Sequence, residues 1–242
     1  MNKPIRALLL AAGFGTRLRP ITLLTPKCLV EIAGEPLLGH WLQKLEKAGC
    51  EATLINTHYL SEQVVDYLKG WRGQTMTISV VHEEKLLGTA GTLLANETFF
   101  KGATGLLIHA DNVMADELAE FLYAHENRAE DCLLTMLTFV TDTPSTCGIV
   151  ETDETGRLLN FHEKVDNPPG NEANGAIYAF DQNLLDQIKK SGSLPNDFST
   201  DVLPTLLGKI QTWKTNQAYI DIGHPIALEK AQIIWRQKHH EP

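Results

Sequence analysis

Residues 5–27, IRALLLAAGFGTRLRPITLLTPK, constrain this chain more than any other stretch. Ile5 to Ala12 is an apolar run of the right length for one buried strand. It breaks into Gly13-Phe14-Gly15-Thr16-Arg17, passes a proline-flanked loop and reaches Pro26-Lys27. A buried strand that opens into a glycine loop carrying cations is suited to holding phosphates. Glycine lets backbone N–H groups turn toward an anion with no Cβ in the way. Arg17 offers a planar fork for phosphate oxygens, and Lys27, ten residues on, a point charge.

Downstream, strand-like and helix-like runs alternate. Strands are expected at Arg6–Ala12, Ala52–His58, Thr77–Val81, Gly105–His109 and Cys132–Val140. Between them, Pro36 opens a helix with apolar residues at 37, 38, 41, 42 and 45, ended by Gly49. Ser61 is read as the cap of a helix that turns Val64, Val65 and Leu68 inward; further helices are expected at Gly88–Phe100 and Asp116–Asn127. This β-α-β order predicts an α/β fold, three-layer α/β/α and Rossmann-like, with a mostly parallel central sheet. Ligands of such sheets sit at the carboxyl ends of the strands, where the glycine loop and Asp111 both fall.

The pattern changes after about residue 145. Gly148–Thr152 and Leu158–Glu163 flank a hairpin turn, Asp153-Glu154-Thr155-Gly156, and Asn174–Phe180 is another strand. Helices at about 181–190 and 199–208, one or two strands within Ile210–Ile222 and a last helix from Pro225 complete the reading. The expectation is one domain over 1–242. Residues 1–145 form a nucleotide-binding half, and 146–242 an antiparallel extension for a second substrate with a C-terminal helix.

Charge and composition narrow the partners. The net charge is −9, which argues against nucleic acid or an anionic membrane. Arg17, Arg19 and Lys27 stand out against that background and suggest a small anionic ligand. No apolar run approaches a membrane span, and the N-terminal run is too short for an export signal. The four cysteines, 28, 50, 132 and 147, form no C-x-x-C pair and suit a reducing cytoplasm as free thiols. Isolated histidines (58, 82, 109, 162), the terminal His239-His240 and the four tryptophans are read as structural or packing residues.

Two phosphate motifs are excluded. No Gly-Lys-Ser or Gly-Lys-Thr occurs, so there is no Walker loop; Leu18 stands where the dinucleotide fingerprint needs its third glycine. What is present is G-x-G-T-R-L-x-P-x-T followed by P-K. Residues 11–27 resemble the signature of the sugar-1-phosphate nucleotidyltransferases, at Gly13, Gly15, Thr16, Arg17, Leu18, Pro20, Thr22, Pro26 and Lys27. The ten-residue Arg-to-Lys spacing favours this branch over those that make molybdopterin or isoprenoid intermediates.

Further segments follow in the family's order. Leu87-Gly88-Thr89-Ala90-Gly91 resembles the stretch that receives the base. Asp111, preceded by Ala110 where the family usually has Gly, resembles one metal-binding aspartate; Asp221 resembles the second. Glu163-Lys164 resembles the pair that contacts sugar and sugar phosphate, with Val165 in place of the usual proline. Asn174-Gly175-Ala176-Ile177-Tyr178 resembles the sugar-contact strand, with Ala176 where the family has Gly, and Gly148 resembles a sugar-side glycine.

The resemblance implies nucleotidyl transfer from a nucleoside triphosphate to a sugar 1-phosphate, with Mg²⁺ on Asp111 and Asp221. Arg17 and Lys27 would be catalytic. Ala11, Ala12, Gly13, Gly15, Thr16, Glu83, Gly88 and Thr89 would bind the nucleotide; Gly148, Glu163, Lys164 and Asn174 would bind the sugar phosphate. Glu83, five residues before Gly88, stands about where related enzymes read the base. A carboxylate accepts guanine's N1–H and N2–H₂ and repels uracil's carbonyls, so GTP is favoured; Glu84 is the other candidate reader. The tail resembles heptose-1-phosphate guanylyltransferases. Alternatives are a uridylyltransferase acting on N-acetylmuramate 1-phosphate or another hexose 1-phosphate, and an inactive sugar-nucleotide sensor on the same fold. The resemblance further implies a homo-oligomer, and at 242 residues the expectation is an enzyme without the β-helix acyltransferase domain of some relatives.

Overall fold

A computed structural model describes residues 3–73, 75–190, 192 and 194–240, except the side chains of 238–240; the reading of His239-His240 therefore lies outside the described side chains. The elements in chain order are β1 (Ile5–Leu10), β2 (Glu31–Ile32), β3 (Glu35–Pro36), α1 (Leu37–Lys47), β4 (Cys50–Thr57), α2 (Ser61–Gly70), β5 (Thr77–His82) and α3 (Gly88–Ala95). They continue with β6 (Thr104–His109), β7 (Asn112–Met114), α4 (Leu118–Glu126), β8 (Leu134–Val140), β9 (Gly148–Thr152) and β10 (Leu158–Glu163). The last are β11 (Glu172–Phe180), α5 (Gln182–Lys190), β12 (Ile210–Lys214), β13 (Tyr219–Asp221) and α6 (Pro225–His240). This is the expected α/β class: a mostly parallel sheet flanked by helices, with antiparallel additions. No described helix is long and apolar enough to cross a membrane.

Three expectations need correction. Ser61 does not cap α2; Leu60, left-handed at φ 50, precedes the helix, Ser61 is its first residue, and only Val64 of the three apolar positions is fully buried. Helix 88–100 stops at Ala95, because Asn96 turns its side-chain amide back onto the Thr92 carbonyl at 2.9 Å; Glu97–Phe100 then forms a tighter 3₁₀ turn. The helix expected at 199–208 is a wide π-type turn, Phe198–Val202, followed by a 3₁₀ turn, Leu203–Leu206. Pro204 lacks the N–H that a continuous α ladder would need.

The chain packs as two compact units interleaved in sequence. The first comprises residues 1–6, 87–108 and 118–216; the second comprises 7–86, 109–117 and 217–242.

In the second unit β1 lies beside β4 and β4 beside β5, the latter pair parallel from Ala52↔Thr77 to Thr57↔His82. Helix α1 buries Leu37, Leu38, Trp41, Leu42 and Leu45, the stripe its sequence spacing dictates, and Gly49 follows at φ 75. The Trp41 indole donates to the Asn112 carbonyl at 2.9 Å. Strands β7 and β13, far apart in sequence, pair antiparallel with Asp221 opposite Asn112. Around them Leu18, Val30, Ile32, Val113, Ile220, Ile222 and Trp235 form one apolar cluster.

In the first unit β11 is the spine. It runs antiparallel to β6, β8 and β9, and β10 closes the hairpin with β9, with a register shift between Leu158 and Asn160. Strand β12 adds to β8 in parallel. Tyr178, Phe180, Phe100, Phe121 and Phe198 are fully buried here; each such side chain contributes on the order of 2 kcal/mol through the area it removes from water.

Candidate active site

The glycine loop is held by its own backbone. Gly15 sits at φ 61, and a Cβ there would come within 2.8 Å of Thr22 Cγ2 and 3.2 Å of Lys27 Cβ. Only glycine permits that approach. The fully buried Thr22 donates its hydroxyl to the Gly15 carbonyl at 2.7 Å, and the Leu18 N–H reaches the same oxygen at 2.9 Å. Buried Leu18 anchors the turn while Arg17 and Arg19 on either side of it in sequence stay exposed. Among the described residues no atom lies within 4 Å of a Cβ at Gly13, so packing does not demand glycine there. The loop begins on a side-chain amide: Asn56 Oδ1 accepts the Ala11 N–H at 2.7 Å, and Asn56 Nδ2 donates to Glu83 Oε1 at 2.9 Å.

Lys27 opens a short 3₁₀ turn, and only 9% of it is exposed. Its ammonium meets Asp111 Oδ2 at 2.5 Å and lies 3.8 Å from Asp221 Oδ1. The two carboxylates are brought together by the β7–β13 ladder and by the Ile222 N–H, which donates to the Asp111 carbonyl at 2.9 Å. Arg17 belongs to the same set; a Cβ on Gly223 would lie 3.0–3.2 Å from its guanidinium. Burial alone would raise Asp111, but the charges of Lys27, His109 and Arg17 outweigh it and hold the carboxyl below its ordinary value. Asp221 goes the other way: burial and the negative charge of Asp111 raise it, against Lys27 and Arg17.

That opposition bears on metal binding. Among the described residues no group of three or more His, Cys, Asp or Glu is placed to hold an ion. Asp111 and Asp221 are nonetheless a pair of hard oxygen donors whose mutual repulsion is already visible in Asp221. A divalent cation would relieve it, and Mg²⁺ commonly takes one or two carboxylates and completes its shell with phosphate and water.

The residues assigned to the sugar phosphate lie in the first unit. Gly148 starts β9 opposite Glu163, and a Cβ on it would strike the Phe161 ring at 2.5 Å and Glu163 Oε2 at 2.6 Å. Lys164 follows in the left-handed region at φ 49; its N–H holds the Cys147 carbonyl, and its ammonium meets Glu163 Oε1 at 2.9 Å. A non-glycine residue kept at positive φ stores strain of the kind that clusters at functional positions. Asn174 donates to the Tyr178 hydroxyl at 2.7 Å and accepts the Ala176 N–H at 2.9 Å, across an irregularity in the β11–β8 register. Ala176 is itself left-handed at φ 53.

Gly88 and Thr89 also belong to this unit. Gly88, at φ 74, has the Asn196 carbonyl 2.2 Å from where a Cβ would be. The Thr89 hydroxyl donates to Asp197 Oδ2 at 3.3 Å and accepts the Phe198 N–H at 2.6 Å. Sequence reasoning missed Asn56 and Asp197. Each acts by holding another site residue, and no motif marks a residue whose partner is dozens of positions away. The signal available for Asn56 was an amide side chain directly after the apolar pair Leu54-Ile55 in the buried half of β4.

The sequence pattern of the nucleotidyl transferase family matches residues 6–237. The chain belongs to the nucleotidyl transferase family. This family member is 32% identical over 226 residues to the mannose-1-phosphate guanylyltransferase catalytic subunit beta of Drosophila melanogaster, covering 91% of this chain and 60% of that one. It is 31% identical over 225 residues to the mannose-1-phosphate guanylyltransferase of Mycobacterium tuberculosis, covering 91% and 62%. This nucleotidyl transferase family chain thus spans about 60% of the length of these relatives. Its fold matches a Bacillus anthracis protein provisionally named a glucose-1-phosphate thymidylyltransferase, solved with sucrose, at a TM-score of 0.86 and 23% identity, over 96% of this chain and 95% of that one.

Proposed function

We propose that the chain transfers a nucleotidyl group from a nucleoside triphosphate, with GTP favoured, to a sugar 1-phosphate, releasing pyrophosphate and an NDP-sugar. One observation carries this reading: a buried lysine, an exposed arginine and two aspartates from three separate stretches of sequence converge beside a glycine loop. The preference for guanine draws on the guanylyltransferase relatives and on Glu83. The balance of −9 favours small anionic substrates over nucleic acid.

The chemistry needs no general base. An oxygen of the sugar phosphate, already anionic at neutral pH, attacks the α-phosphorus; the bond to the β-phosphate oxygen breaks, and pyrophosphate leaves with the electron pair. The difficulty is bringing polyanions together, so catalysis is positioning and charge neutralisation. Arg17 binds the triphosphate and the departing pyrophosphate. Lys27 serves the α-phosphate, its ammonium held in place by the carboxylates of Asp111 and Asp221. Mg²⁺ on Asp111 and Asp221 would neutralise phosphate oxygens when bound. Lys164 holds the sugar phosphate, with Glu163, Asn174 and Gly148 on the sugar. In this reading residues 1–145 serve mainly the nucleotide and 146–242 mainly the sugar phosphate.

The test is direct. The protein is incubated with Mg²⁺, each of four NTPs and a panel of sugar 1-phosphates, and pyrophosphate is measured. Release with GTP and one sugar 1-phosphate supports the proposal, and release only with UTP moves the base assignment to uridylyl transfer. Silence with every pair replaces the enzyme by a sugar-nucleotide sensor.

A further inference from the structure

Within the second unit, Asn56 does more than fill a strand position. It lies in β4 and is 4% exposed. Its amide is clamped by two partners of opposite kind. Oδ1 accepts the backbone N–H of Ala11, the first residue beyond β1, and Nδ2 donates to the carboxylate of Glu83, the first residue beyond β5. A backbone N–H can only donate and a carboxylate can only accept, so the amide cannot flip without losing both bonds. Glu83 is 5% exposed and is tied a second time through its backbone: its N–H donates to the Thr57 carbonyl at 2.9 Å, and its carbonyl lies 2.7 Å from His58 Nδ1. One side chain therefore couples the start of the glycine loop to the orientation of a buried carboxylate.

We infer that Asn56 is a positioning residue for nucleotide recognition: by holding Ala11 N–H and the Glu83 carboxylate at once, it sets the base preference of the glycine-loop site. This rests on the nucleotidyl-transfer reading above and adds a residue that acts through Glu83. A buried carboxylate that loses an amide donor on one oxygen reorients, and that changes the acceptor pattern it offers to a base. A residue that merely packed would not change discrimination among bases.

The experiment is a double-mutant cycle on the full chain with Asn56→Ala, Glu83→Ala and both together. Two readouts are taken: kcat/KM for each of four NTPs with a fixed sugar 1-phosphate, and binding of each NTP by calorimetry, which does not depend on turnover. Asn56→Ala is expected to raise the KM of the preferred NTP about tenfold, the loss of one charged hydrogen bond, and to cut its advantage over the next NTP by a similar factor. The KM for sugar 1-phosphate should change less than about twofold. In the Glu83→Ala background the same substitution should cost little further selectivity, because the two act as one unit. Full retention of base preference by folded Asn56→Ala overturns the inference, as does a full-sized selectivity loss on top of Glu83→Ala. If Asn56→Ala does not fold, Asn56→Ser, which keeps one hydroxyl for one of the two partners, is read by the same ratios. A wild-type protein that binds one NTP preferentially yet releases no pyrophosphate sinks the transferase reading and leaves this one standing; binding without preference sinks this one.

Discussion

The two units solve different problems with different means. In the second, the residues assigned to catalysis are charged and already paired: Lys27 neutralises Asp111, approaches Asp221, and is nearly buried. In the first, the residues assigned to the sugar phosphate owe their placement to backbone: Lys164 and Ala176 at positive φ, and Gly148 pressed against Phe161 and Glu163. The Lys164 side chain is 65% exposed, so its ion pair with Glu163 adds little stability. A charge cluster loses most when a charge is removed. A strained strand turn loses function when a side chain goes, yet gains stability when the strain is relieved.

Removing the Lys27 charge should break this contrast most severely. Lys27→Ala is expected to lower pyrophosphate release by about 10²–10³-fold, the usual cost of losing a preorganised charge at a reacting phosphate. Near-wild-type turnover would show that the cluster is structural only.

The next effect concerns acid stability of the first unit. Burial, then the charges of Arg128 and Lys3, push the His125 imidazole from 6.5 down to about 3, against the opposing pull of Asp181. The folded state therefore binds fewer protons than the unfolded chain between those values. The stabilisation is complete above pH 6.5 and is lost as pH falls toward 3. His125→Gln should flatten the pH dependence of urea-unfolding stability between about pH 4 and 6.5. An unchanged slope would mean that other groups carry it.

Lys164→Ala should raise the KM for sugar 1-phosphate about tenfold or more while leaving that for the NTP nearly unchanged, since a charged hydrogen bond is worth about 1.5–3 kcal/mol. Equal changes in both constants would erase the functional distinction drawn between the units. The smallest expected effect is the most diagnostic of strain. Ala176→Gly should stabilise the protein by about 1 kcal/mol, the cost of holding a Cβ in the left-handed region, seen as a rise of about 2–4 °C in Tm. A fall in Tm would show that the Ala176 methyl packs more than it strains.

Much of the fold was legible locally. The apolar run at Ile5–Ala12, the α1 stripe and the Asp153–Gly156 turn each act over a few residues, and each forms where its pattern says. Errors fell where a local side-chain bond, a left-handed residue or a proline overrides the helical pattern, at Asn96, Leu60 before Ser61, and Pro204. All four thiols are free, as expected, and burial pushes that of Cys28 up to about 12. The cations and carboxylates of the site were legible as residue types, but their pairing was not.

By itself, then, the sequence determined an alternating α/β chain, a glycine loop and an arginine and a lysine ten residues apart. Only the tertiary structure decided that Lys27 would sit on Asp111, 84 residues away, and that Asp221 would join them. It also decided that Asn56 would bind Ala11 and Glu83 in one orientation. The physical reason is that these contacts depend on long-range strand register, above all that of β7 with β13, which forms only once apolar faces far apart in sequence are buried together.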